Sequence, residues 1–302
     1  MRVFSRFACA AMLGLGMGIA QAQSPVVVSS KIDTEGSVLG QLVIQTLEAN
    51  GVPTENRLQL GGTSIVREAI KAGEIDLYPE YTGNGAFFFD RADEPGWNDA
   101  DTAYQTVREL DLERNDLVWL QPAQANNTWA MSVRRDLADA EGLETLDDLA
   151  AYLNDGGDFR FAASAEFVDS ESALPAFQSA YGFELASDQL LTLSGGDTAA
   201  TMRAAAQPDN DVNGAMTYGT DGGVNALGLV VLEDTRGVQP VYQPTPVVRA
   251  EVLDTYPEIA DSLNPLFAQL DLETLQALNA RVAVEGQPAR DVAADYLEQL
   301  ND

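Results

Sequence analysis

Histidine is absent from all 302 residues, and cysteine occurs once, at Cys9. Without histidine the chain lacks the commonest general base and the commonest transition-metal ligand. A Ser-His-Asp triad, a Cys-His dyad and His-ligated zinc are therefore excluded. Lysine is nearly absent as well: Lys31 and Lys71 stand against fifteen arginines. Positive charge as a whole is scarce, with 17 Lys+Arg against 47 Asp+Glu and a formal net charge of −30. Binding phosphate requires a basic face, so the charge argues against a nucleic-acid role. A lysine-poor, strongly acidic surface keeps a protein soluble by self-repulsion and occurs in salt-adapted proteins. A general compositional bias toward Ala and Arg produces the same pattern.

Long apolar runs are also lacking, apart from Phe7–Ile19. Thirteen residues are too few to span a bilayer. With Arg2 and Arg6 before it and Ala20-Gln21-Ala22 after it, the run reads as a secretory signal peptide over residues 1–22. Cys9 lies inside the run, so there is no lipobox cysteine and no lipid anchor is expected. Cleavage after Ala22 leaves 280 residues with 15 basic and 47 acidic side chains, a net charge of −32 and no thiol. The mature chain therefore has neither a disulfide nor a cysteine nucleophile, and is expected to be a soluble, exported, periplasmic protein. A hydrophobic content of 45% argues for a globular fold despite the charge. The length allows two lobes, each with its own core.

The mature chain alternates strand and helix signals. Ser24–Ser30 reads as a buried strand. Val38, Leu39, Leu42, Val43 and Leu47 recur at helical spacing from Thr34 to the Asn50-Gly51 stop. Arg57–Leu60 is a second strand, Thr63 an N-cap for a helix through Lys71, and Ile75–Tyr78 a third strand. This order predicts a parallel sheet with helices on both faces. Residues 90–101 read as an acidic surface loop, Thr102–Leu112 as a helix and Leu117–Leu120 as a strand. A second αβ series follows a strand at Thr128–Val133. It comprises helices at 145–153, 171–180 and 197–206, strands at 159–163 and 213–218, and strand-like segments at 227–232 and 245–249. The tail from Ala250 is helical and ends in a helix over Arg290–Leu300. Two αβ series joined in mid-chain predict an α/β protein of two lobes with a cleft between them, where strand carboxyl ends meet a small molecule.

Several apparent motifs carry little. Asp209–Gly214 matches the first half of a calcium loop, but the twelfth position is Thr220, where a bidentate Glu is needed. A polar turn before a strand is the better reading, and no metal or cofactor is expected. Asn126-Asn127-Thr128 fits a glycosylation sequon, a short pattern that arises by chance. Phosphate-loop, dinucleotide and nucleophile-elbow glycine patterns are missing. Among 47 acids no particular pair stands out as a glycosidase-like couple.

The informative residues sit at strand ends. Lys31-Ile32-Asp33-Thr34-Glu35-Gly36 joins the first strand to the first helix, where amides favour an anionic group, or where Asp33 or Thr34 is an ordinary cap. Tyr81 and Thr82 close the Tyr78–Asn84 segment. Asn127 and Trp129 open the second series. Tyr218 and Thr220 end a later strand, and Tyr242 precedes the return to the first lobe. Singly, each aromatic is more often packing than ligand contact. Together they fall at strand ends or crossings.

The segments VVSSKIDTEGSVLGQLVIQTLEANGV, LGGTSIVREAIKAGEIDLYPEYTGNGAFFF, ANNTWAMSVRRD, FAASAEF, MTYGTDG and VQPVYQPTPVVR resemble, in order, the substrate-binding proteins of osmoprotectant ABC importers. The likeness is to the glycine betaine/choline class of the OsmF/YehZ type, and it covers essentially the whole mature chain. It implies a type II periplasmic binding protein with two αβ lobes, a hinge of two crossovers, and closure around a quaternary ammonium ligand. The lobes would take residues 23–126 with 244–302, and residues 127–243. A trimethylammonium group has no N–H to donate, so aromatic faces must recognise it by cation–π attraction, worth about 0.5–2 kcal/mol each. By matching motif, Trp129, Tyr218, Tyr242 and Tyr81 are the implied walls. Lys31, Thr82 and Asn127 are implied polar contacts, and Glu166 and Thr220 complete the candidate set.

One departure from the family pattern is Ser170, which stands where relatives carry an arginine four residues after the glutamate of A/S-E-F. Losing that guanidinium removes a bidentate carboxylate partner. This shifts the expectation toward choline or another compatible solute, or leaves a glycine betaine carboxylate to Lys31 and backbone amides. The expected protein is a monomeric, non-enzymatic carrier serving an inner-membrane ABC permease. The competing readings are a carrier of another zwitterion or amino-acid-like solute, and an exported carboxylate-dependent hydrolase.

Overall fold

Asp33 ends the first strand and starts the first helix, because its carboxylate accepts the Gly36 amide at 2.7 Å and satisfies an otherwise orphaned donor. The helix then buries Val38, Leu39, Leu42, Val43 and Leu47 completely, so its apolar stripe faces a sheet rather than solvent. The computed structural model describes residues 24–194, 198–207 and 211–301. The expected signal segment, and Asp209 and Asn210 of the calcium-like loop, lie outside the described residues.

Two five-stranded sheets result. The first contains β1 (Val26–Lys31), β2 (Thr54–Gly61), β3 (Leu77–Tyr81), β4 (Leu117–Trp119) and, from the far end of the chain, β10 (Pro244–Arg249), in the order β2-β1-β3-β10-β4. The second contains β5 (Trp129–Arg134), β6 (Phe161–Ser164), β7 (Leu190–Leu193), β8 (Gly214–Tyr218) and β9 (Leu229–Val231), in the order β7-β6-β8-β5-β9. Helices α1 (Thr34–Ala49), α2 (Thr63–Lys71), α3 (Gly85–Phe88) and α4 (Ala100–Asn115) belong to the first series. The second carries α5 (Arg135–Glu141), α6 (Leu146–Asn154), α7 (Ala165–Asp169), α8 (Leu174–Tyr181), α9 (Thr198–Ala206) and α10 (Gly223–Ala226). The tail folds as α11 (Ala250–Thr255), α12 (Glu258–Phe267), α13 (Leu272–Ala283) and α14 (Ala289–Asn301). α1 and the tail helices cover one face of the first sheet, with Leu39, Val43, Leu263, Phe267 and Val292 in one core. A core around Val66, Tyr78 and Trp119 fills the other face.

The first three strands are parallel as the strand–helix alternation predicts, but each sheet as a whole is mixed. β1, β2 and β3 are parallel, but β10 is antiparallel to both β3 and β4. β6 is parallel to β7 and β8, while β5 is antiparallel to β8 and β9. The reason is the crossing. β4 ends at the boundary between the sheets, so β5 starts there and must run away from it, and β10 does the same on the return. The third strand lies at Leu77–Tyr81, later than predicted, because Pro79 can sit inside it. Pro79 faces Pro246, and the Thr82 N–H to Gln243 carbonyl bond sets the ladder phase. That phase puts both prolines at positions that exchange no N–H···O bond.

Other boundaries moved for identifiable reasons. The helix predicted over 102–112 runs from 100 to 115 because Asp99 caps it, accepting the Thr102 amide at 2.9 Å. The helix predicted from 171 starts at Leu174, where Pro175 fits the first turn. β7, α3, α5 and α7 are short elements, with no more than two periods each to read.

One polar cluster fastens α2 to α4 beneath the first sheet. Arg67 makes a two-pronged ion pair with the fully buried Asp111, at 2.7 and 2.6 Å. Asp111 also accepts the Trp119 indole N–H at 2.7 Å and the Asn115 amide at 2.7 Å. Removing the acid leaves a buried guanidinium and an indole without acceptors. Asp111→Ala is therefore expected to lower the unfolding free energy by about 3–5 kcal/mol. Urea denaturation at unchanged slope is the check, and a loss below about 1 kcal/mol would refute this account.

Candidate ligand-binding site

The strand ends named above converge where the two sheets face each other. Trp129 and Tyr218 are register partners at the ends of the antiparallel β5 and β8, so their side chains share a face. Phe167 of α7 supports the Trp129 ring edge-on at 5.8 Å and 82°. The Trp129 N–H faces the Tyr218 hydroxyl without making a hydrogen bond of normal geometry.

Tyr242 arrives on the second crossover, which runs beside the first. The Asn127 N–H donates to the Tyr242 carbonyl at 2.9 Å, the Tyr242 N–H to Asn126 Oδ1 at 2.8 Å, and the Thr128 hydroxyl to the Pro240 carbonyl at 2.9 Å. The Tyr242 ring lies against the backbone of Gly83, where a Cβ would stand 2.8 Å from it, so only glycine allows this approach. Burial pushes the Tyr242 hydroxyl up to about 12, and Tyr218 is close enough to add to the effect. Burial also raises the Tyr218 hydroxyl, with Asp221 and Glu166 contributing negative charge. All three rings are partly buried and present neutral aromatic surface.

Tyr81 is held differently. It is buried at the end of β3, with its hydroxyl donating to Glu35 Oε1 at 2.7 Å and the Lys31 ammonium 4.5 Å above its ring. Lys31 is itself paired with the fully buried Glu80, at 2.5 Å. Glu80 also accepts the Tyr78 hydroxyl, the Tyr81 amide and the Asn84 side chain. The single lysine at the cleft is thus neutralised within the first sheet. Thr82 is buried, donating to the Val241 carbonyl at 3.0 Å and accepting from the Gln243 amide at 3.1 Å, which ties β3 to the second crossover. Glu166 is exposed on α7, within electrostatic reach of Tyr218. Ser170 is hydrogen-bonded to Ser172 at 3.0 Å.

Glu35 and Glu80 carry much of the local electrostatics, and the sequence reading singled out neither. An acid in the first turn of a helix usually just complements the helix dipole, which hides the signal. Glu35 accepts from Tyr81, from Asn127 Nδ2 at 3.1 Å and from Asn279 Nδ2 at 2.7 Å, and the Thr220 hydroxyl faces it. Burial raises its carboxyl above the ordinary value, more than these hydrogen bonds lower it. Asn127 Oδ1 and Asn279 Oδ1 are buried without partners, so acceptor capacity remains beside the aromatic rings.

A family model described as the substrate binding domain of an ABC-type glycine betaine transport system matches residues 24–299. The glycine betaine-binding protein YehZ of Escherichia coli (strain K12) is 58% identical over 279 residues, 92% of each chain. A glycine-betaine-binding protein of Pseudomonas aeruginosa is 33% identical over 301 residues, 97% of this chain and 94% of that one. The solved structure of apo YehZ from Escherichia coli superposes with a TM-score of 0.88, covering 92% of this chain and 99% of that one.

The raised Glu35 carboxyl has a pH consequence. The folded state holds this proton more tightly than the unfolded state, so the Glu35 contribution to stability falls as pH rises from about 4.5 to the raised value, then levels off. Glu35→Gln removes that component. The stability of the natural protein minus that of the variant, from urea midpoints between pH 4.5 and 8, is expected to decline with pH. A flat difference would contradict the assignment.

Proposed function

The chain belongs to the family of substrate-binding domains of ABC-type glycine betaine transport systems, and from that membership we propose that it captures a quaternary ammonium osmoprotectant between its lobes. Glycine betaine, choline or a related compound is the ligand class, and delivery is to an ABC permease in the inner membrane. The convergence of Trp129, Tyr218 and Tyr242 carries this reading, since a methylated cation offers aromatic faces the only specific contact they need. Residues 23–126 with 244–302 form one lobe and residues 127–243 the other, with the paired crossovers as hinge. The chain is exported by residues 1–22 and works as a periplasmic monomer.

The polar candidates then divide. Lys31, Tyr81 and Thr82 hold the frame through Glu80, Glu35 and the second crossover. Asn127, with its free acceptor, stands nearest to a direct polar contact, and Glu166 supplies negative potential at the cleft. With Lys31 paired and Ser170 in the arginine's place, a ligand carboxylate has no free guanidinium or ammonium among these residues. Choline is therefore a full competitor for the site. The protein binds and releases its ligand unchanged; Glu35 and Glu80, the buried carboxylates of this region, are both taken up by hydrogen bonds.

Trp129→Ala and Tyr242→Ala are each expected to weaken binding by about 0.5–2 kcal/mol, a rise of roughly twofold to thirtyfold in Kd. Calorimetric titration with glycine betaine and with choline reads this directly. Unchanged affinity in both variants would remove the cage, and a ligand recovered chemically altered would restore the hydrolase reading.

A further inference from the structure

The aromatic walls and the contact between the lobes share one turn. β8 ends at Tyr218, and Gly219–Gly222 leads into α10, where Val224 is buried with Met202, Ala205 and Ala215 on the second sheet. The polar groups of this turn are nevertheless bound by α13, which is anchored on the first sheet's side by Leu275 and Leu278. Gln276 Nε2 donates to the Gly219 carbonyl at 2.7 Å, and Asn225 Nδ2 donates to Gln276 Oε1 at 2.8 Å. Asn279 Nδ2 donates both to the Thr220 carbonyl at 2.9 Å and to Glu35 Oε2 at 2.7 Å. Gln276 and Asn279 lie three residues apart on one face of α13, and both are buried. Buried amides are costly unless matched, and their donors are matched by the turn and by Glu35.

Gly222 reports how tight this approach is. Its backbone, at φ −62° and ψ −24°, suits any residue. A Cβ there would stand 2.2 Å from the Ala280 nitrogen and 2.4 Å from the Asn279 carbonyl carbon. These are backbone atoms inside a helix and cannot swing aside. The requirement for glycine comes from the opposite lobe alone.

We propose that Gln276 and Asn279 of α13, with Gly222 facing them, form a clasp that closes the lobes and positions Tyr218. Every bond of the clasp is protein to protein, so the ligand supplies none of them. The clasp rests on the reading above that the lobes open and close, and it adds a closing free energy separate from that of the cage. Apparent affinity scales with the fraction of molecules in the closed state, so a weakened clasp lowers affinity although no cage residue is itself replaced.

Small-angle X-ray scattering of the ligand-free protein, with calorimetry on glycine betaine and choline, tests this. The natural protein is expected to scatter as a closed molecule. Gly222→Ala is expected to keep its circular dichroism and scatter as an opened one, with at least about tenfold weaker binding. The double variant Gln276→Ala, Asn279→Ala provides a second route to the same opening if Gly222→Ala folds poorly. Folded variants with the natural scattering profile, or opened variants with unchanged affinity, would overturn the proposal. Opening by the variants with neither compound bound by the natural protein would support the clasp and refute the ligand assignment instead.

Discussion

A carboxylate buried where two lobes meet has to be supplied with donors, and Glu35 is such a group. An unpaired charge removed from water costs several kcal/mol or neutralises itself. Glu35 collects the Tyr81 hydroxyl from β3, the Asn127 amide from the first crossover and the Asn279 amide from α13. Meeting that demand fixes the start of α1, the hinge and a tail helix relative to one another. Asn279 extends the constraint to the second lobe through the Thr220 carbonyl. The Lys31–Glu80 pair fixes Tyr81 from its other side. Polar groups around the cleft are therefore largely committed to the frame.

In the proposed cage, that commitment leaves recognition to neutral surface. The chain carries 47 acids, yet the rings of Trp129, Tyr218 and Tyr242 are uncharged, and burial raises the two tyrosine hydroxyls further above their ordinary value. A partly desolvated aromatic face attracts a cation more strongly than an exposed one. The mixed sheets make this geometry possible. β5 and β8 are antiparallel and bring Trp129 and Tyr218 to the same end, whereas a purely parallel sheet would separate a strand start from a strand end.

Much of the architecture was legible in the chain. The α1 stripe of Val38, Leu39, Leu42, Val43 and Leu47 was readable because it packs on its own sheet, so local periodicity and tertiary burial agree. The aromatic strand ends were legible for the same reason, since strand boundaries place them. Glu35 and Glu80 were not: two acids among 47 give no signal until their partners are known. The polar stripe of Gln276 and Asn279 looks like any solvated helix face unless the turn at Gly219–Gly222 is placed against it.

The sequence by itself determined the absence of histidine and of any cysteine beyond Cys9, the strongly acidic composition, the alternation of strands and helices in two series, and the motifs that carry the family likeness. These follow from composition and from periods of two to four residues. Only the tertiary structure decided which strands run antiparallel, that Lys31 is neutralised by Glu80, and that α13 reaches across to the second lobe. Each of those depends on groups far apart in the chain, as with Glu35 and Asn279, 244 residues from one another. No local pattern encodes such a contact; it forms because a buried charge must find its donors in the folded chain.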